Sequence, residues 1–178
     1  MGKDNISPYD NMTKIRQICV GLIEKFETQK ESLLLTGQTG VGKTFLCNCI
    51  AKELLDNGFT VLYFTAPQLF KLFEEARFHR EDMQDDSKNL LNMLFDADLL
   101  IIDDLGTESI STVTISDLFN VINSRYLKQT STIISTNLTY KQLTERYADR
   151  IISRILGQYT ILKLYGEDIR KLKKYMQI

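Results

Sequence analysis

The chain has 178 residues, 22 basic and 23 acidic side chains and a net charge near −1, with 43% hydrophobic residues. That is enough for one well-packed core and short for two, and it excludes disordered, collagen-like and disulfide-scaffold classes. The balanced charge gives no global attraction to nucleic acid or to an acidic membrane, no apolar run reaches a membrane span, and no signal-peptide pattern opens the chain, so the expectation is a cytoplasmic domain with no membrane contact.

Residues 1–7 read as a flexible lead-in, and 8–178 as a single domain. Helical spacing of Ile15, Ile18, Cys19, Leu22 and Phe26 predicts a helix over 11–28. A strand at 32–36 (SLLLT) leads into GQTGVGKT, and a helix is expected over 45–57, stopped by Gly58. Strands at 60–65, 99–103, 130–135 and 160–164 alternate with helices at 68–80, 87–95, 114–128 and 140–155, with Ser87 as a helix cap. The alternation predicts an α/β fold: three αβα layers around a five-stranded, mostly parallel sheet. Cys19, Cys47 and Cys49 lack metal-ligand spacing and are read as buried free thiols. His79 is read as a surface residue.

The segment Gly37, Gln38, Thr39, Gly40, Val41, Gly42, Lys43, Thr44 fits G-x-x-x-x-G-K-[ST] at every fixed position, between a strand and a helix. The glycines let backbone N–H groups turn toward phosphate oxygens, and the helix N-terminus adds its positive end. Lys43 suits the β- and γ-phosphates and Thr44 a magnesium ion, so this P-loop is expected to bind ATP and ADP with Mg²⁺. LLIIDD (99–104) reads as a buried strand ending in two acids at the sheet's carboxyl edge, where parallel sheets bind ligands. Asp103 is assigned to magnesium. Asp104 is assigned to the attacking water, with Glu108 a competitor for that role. Asn137, after the strand IIST, can bond the γ-phosphate or the water. Arg150 and Arg154 share a helix face, and with Arg170 they are candidates for stabilising a transferring phosphoryl group.

GQTGVGKT, DLLIIDDLGTE, ISTNL and ADRIISRI stand in the order and spacing of AAA+ ATPases, and the chain more narrowly resembles the DnaC/DnaI-type bacterial replicative helicase loaders over residues 8–173. IstB-type transposition ATPases share this core. The resemblance implies Gly37 to Thr44 as Walker A, Asp103 and Asp104 as Walker B, and Asn137 as sensor 1. It also implies Arg154 as an arginine finger acting on the neighbouring subunit's ATP, and Arg170, in GEDIR, as sensor 2. Two expectations depart from the common pattern: little or no helical lid, and no helicase-binding region before Ser7.

The function implied is a nucleotide switch that loads a hexameric replicative helicase onto single-stranded DNA, working as a self-associated AAA+ oligomer and meeting the helicase through a region outside this chain. The alternatives are an IstB-like transposition helper, a P-loop small-molecule kinase, or a nucleotide-gated binding module with almost no turnover. Residues 68–88 lie where loaders carry extra helix for the strand. They mix Phe70, Phe73 and Phe78 with Lys71, Arg77, His79 and Arg80, but Glu74, Glu75, Glu81, Asp82, Asp85 and Asp86 offset that charge, and burial of Leu69, Phe70, Leu72 and Phe73 explains the aromatics as well as base stacking does.

Overall fold

The computed structural model describes residues 6–78 and 85–171, with backbone only at 85–88. The expected His79, Arg80, Glu81 and Asp82, and the side chains of Asp85 and Asp86, lie outside the described set. Twelve elements follow one another among the described residues: α1 Pro8–Glu24, β1 Ser32–Thr36, α2 Lys43–Asp56, β2 Val61–Thr65, α3 Ala66–Phe78, α4 Asp85–Asp96, β3 Leu99–Leu105, α5 Thr112–Leu127, β4 Ser131–Thr136, α6 Tyr140–Arg146, α7 Asp149–Gln158 and β5 Tyr159–Lys163. The strands form one parallel sheet in the order β2-β3-β4-β1-β5. Every carboxyl end therefore lies on the same edge, the edge that carries the phosphate loop and the paired acids.

Continuous apolar runs in the central strands follow from burial on both faces. Leu33, Leu35, Leu99, Ile101 and Ile133 face α1 and α2, packing with Ile15, Cys19, Leu22, Phe26, Leu46 and Ile50. Leu34, Leu100, Ile102 and Ile134 face the opposite layer, with Leu69, Leu94, Leu118, Ile122, Ile151 and Ile155. Each such side chain, fully buried, contributes about 1.5–3 kcal/mol before entropy is charged against it.

Several local expectations are corrected. Ser7 and Pro8 belong to the start of α1: the Ser7 hydroxyl caps the Asp10 N–H at 3.1 Å, and Pro8 occupies the first turn, where its missing N–H costs nothing. Ser87 lies inside α4, not at its cap, because the helix begins at Asp85. Cys49 is exposed while Cys19 and Cys47 are buried; residues two apart on a helix point about 200° apart, so Cys47 and Cys49 cannot share the buried face. Phe70 and Phe73 pack against the core as expected, but Phe78, at the end of α3, is 69% exposed. The single helix expected over 140–155 is two. Tyr147 and Ala148 are extended between them, and the buried Tyr147 ring takes the corner. The start of α6 carries a Thr139–Gln142 capping box, whose two reciprocal bonds fix where it begins.

Arg125 in α5 is 0% exposed. No carboxylate touches its guanidinium among the described residues. It donates to the carbonyls of Leu94 (2.8 Å), Ala97 (2.9 Å) and Ser131 (2.6 Å) and to the Thr132 hydroxyl (3.0 Å). It thus ties the end of α4 and the start of β4 to α5. Burial, partly offset by Tyr159, Asp98 and Asp96, lowers its pKa to about 10, so it stays cationic at neutral pH.

Candidate functional site

A cleft of about 1230 Å³ opens at the carboxyl edge of the sheet and runs on between α1 and α2. Thr39, Gly40, Gly42, Lys43 and Thr44 line it, with Asp104, Asn137 and Arg170 around the same space. The remaining loop residues are committed elsewhere. Val41 is buried in the α1–α2 core and pins the loop, and Gly37 and Gln38 turn their carbonyls toward Lys43. Gly40 has φ +83°, a conformation that favours glycine, and a methyl group there would meet the Asp168 carboxylate at 2.0 Å unless that side chain moved aside.

α2 starts at Lys43 with Gly42 as a cap that has no side chain to satisfy the first-turn N–H groups. Such a helix start is an anion site. The Lys43 ammonium is buried and uses its three donors on Gly37 O (2.8 Å), Gln38 O (2.9 Å) and Asn137 Oδ1 (2.5 Å). Burial lowers its pKa, opposed by the charges of Asp104 and Asp103. The bond to Asn137 joins two residues 94 positions apart and puts the amide that follows β4 directly at this loop.

The two adjacent acids diverge. Asp103 is 3% exposed and sits behind Thr44, whose hydroxyl lies 3.3 Å from its Oδ1. The β3–β4 register then slips between Ile102 and Leu105, and Asp104 adopts φ +56°. A left-handed residue other than glycine costs about 1–2 kcal/mol, and aspartate tolerates it better than most. Here the Asp104 N–H donates to Ser135 Oγ (2.9 Å) and its carbonyl accepts from the Thr107 hydroxyl (2.9 Å). The turn aims the Asp104 carboxylate into the cleft while Asp103 stays in the wall. Paired oxygen donors at Thr44 and Asp103 fit a magnesium ion that keeps most of its waters.

Glu108 does not line the cleft. Its buried carboxylate accepts from Gly106 N–H (2.8 Å) and from the Tyr147 hydroxyl, and Arg146 donates to its carbonyl (2.5 Å). It knits the loop after β3 to the α6–α7 corner, and the same carboxylate raises the Tyr147 phenol pKa after burial does. Arg170 reaches the cleft rim, where Asp168 accepts from its Nε at 3.3 Å. Arg150 and Arg154 do not line the cleft. They lie on α7 over the rings of Phe119 (4.5 Å) and Tyr126 (5.4 Å). Of the basic residues considered for DNA, Arg77 pairs with Asp117 at 2.9 Å and Lys71 lies 3.6 Å from Glu75.

Three residues at this edge went unread in the sequence. Tyr63 donates to Asp103 at 2.8 Å, Ser135 contacts both acids, and Asp168 packs against Gly40. Ser135 was detectable as a hydroxyl two places before Asn137 on the strand beside LLIIDD. Tyr63 carried no such signal, since strand tyrosines are common.

The IS5376 insertion-sequence ATP-binding protein of Geobacillus stearothermophilus is 27% identical over 169 residues, covering 92% of this chain and 64% of its own length. The replicative helicase loader DnaC of Escherichia coli K12 is 26% identical over 144 residues, covering 81% of this chain and 56% of the loader. The chain thus spans roughly three-fifths of these relatives. The crystal structure of the DnaC helicase loader superposes with a TM-score of 0.75 at 22% identity, covering 87% of this chain and 90% of that one, which establishes the shared fold. The sequence profile of one family, described as IstB-like ATP binding protein, matches residues 13–177, and the chain is a member of that family.

Proposed function

We propose that the chain is an ATP-hydrolysing AAA+ domain whose nucleotide state controls its grip on single-stranded DNA while a hexameric replicative helicase is loaded. The observation that carries this reading is the convergence of Lys43, Asn137, Asp104 and Arg170 on one cleft, from four separate parts of the chain.

In this reading the N–H groups at the start of α2 receive the β- and γ-phosphates, and the Lys43 ammonium exchanges its present oxygen partners for them. A magnesium ion held by Thr44 and Asp103 supplies charge neutralisation on those phosphates. Asp104 takes a proton from water. The water oxygen bonds to the γ-phosphorus as the bond from that phosphorus to the β–γ bridging oxygen breaks, leaving ADP and inorganic phosphate. Asn137 orients the water or the γ-phosphate. Arg170 from the same chain and Arg154 from a neighbouring copy stabilise the transferring charge. The insertion-sequence relatives favour a second setting for the same switch, as helper to a transposition enzyme.

The test is binding of a labelled single strand at physiological salt, with a non-hydrolysable ATP analogue and with ADP. Binding only with the analogue is expected. Equal binding in both states, or none in either, would contradict a nucleotide-set grip by this chain.

A further inference from the structure

β2 pairs with β3 in register, Tyr63 opposite Ile101 and Thr65 opposite Asp103. Tyr63 therefore leans one step along the sheet to reach Asp103, a diagonal that aromatic side chains span. Its hydroxyl donates to Oδ2 of Asp103 at 2.8 Å, while Oδ1 receives the hydroxyls of Ser135 and, at 3.3 Å, Thr44. All three donors are neutral. Among the described residues no ammonium or guanidinium bonds to Asp103, so its charge is left for a cation. The Tyr63 bond locks one oxygen and turns the other toward Thr44. The ring half-buries against the α1–α2 core, and packing there asks nothing of the hydroxyl.

We propose that Tyr63 is a positioning residue for the divalent cation of the nucleotide site, acting through Asp103. The inference rests on the cation placement at Thr44 and Asp103 proposed above. Residues that orient a metal-binding carboxylate typically alter metal affinity about 10–100-fold when removed.

The test is a calorimetric titration of a non-hydrolysable ATP analogue into the wild-type chain and Tyr63→Phe, in EDTA and across a magnesium series. Phenylalanine keeps the ring and removes only the hydroxyl. The expected result is equal affinity in EDTA and about a tenfold rise in the magnesium concentration giving half of the affinity gain. Superimposable magnesium curves would overturn the inference. So would an equal loss of affinity in EDTA and in magnesium, which marks a packing defect. A wild-type chain whose affinity ignores magnesium would instead remove the cation placement itself, a failure visible without the variant.

Discussion

Replacing Arg154 by alanine is expected to leave ATP binding intact and to lower hydrolysis about 10³-fold, the scale of an arginine finger. The side chain sits on α7 over the Tyr126 ring, outside the cleft of its own chain. Losing that stacking contact costs the fold only about 0.5–1 kcal/mol, so the domain should stay folded and able to bind. In the proposed reading the group comes from another copy, so wild-type specific activity should rise with protein concentration. Mixing Arg154→Ala with Lys43→Ala should restore part of the activity, since the second variant lends its arginine to the intact site of the first. Full activity in Arg154→Ala, or no recovery on mixing, would assign the residue to surface packing alone.

Arg125→Met is expected to lower stability by about 3 kcal/mol or more, a large share of the roughly 5–15 kcal/mol that holds a domain folded. Exchanging a buried ion pair for apolar groups can be neutral or stabilising, because both charges leave together. That escape is closed here. Besides the Thr132 hydroxyl, the partners of Arg125 are the carbonyls of Leu94, Ala97 and Ser131, which no side-chain substitution removes. Each carbonyl left buried without a donor costs about 1–3 kcal/mol. In a chain of this size the loss corresponds to a drop in melting temperature of about 6–12 °C. An unchanged melting temperature would mean that water or a repacked neighbour satisfies those oxygens.

The parts legible in the sequence are those written in local pattern. The strand–loop–helix around Lys43 and the double-sided burial of LLIID are periodicity and motif, and the structure has them where expected, within two or three residues. The break between α6 and α7 was hidden by its own regularity. Leu143, Tyr147, Ile151 and Ile155 repeat every four residues and are all buried, so the apolar stripe runs through the corner unchanged. Arg125 falls on the stripe Leu118, Val121, Ile122, Arg125, and its position alone places it in the core. Charge argued the other way, and only the tertiary arrangement of three carbonyls settles the conflict. The divergence of Asp103 and Asp104 likewise depends on a register slip against β4, a non-local event. The commitment of Glu108 to Tyr147 joins residues 39 apart, which no spacing rule connects.

Whether the cleft is a triphosphate site is tested most directly by titrating an ATP analogue with magnesium into the wild-type chain and Lys43→Ala. Lys43 now spends all three donors on neutral oxygens of the phosphate loop and Asn137, which are weaker partners than phosphate. A bond to a charged oxygen contributes about 1.5–3 kcal/mol, so the variant should bind about 10–100-fold more weakly. Equal affinity for wild type and Lys43→Ala, or no binding to the wild-type chain, would contradict the assignment of this cleft to nucleotide.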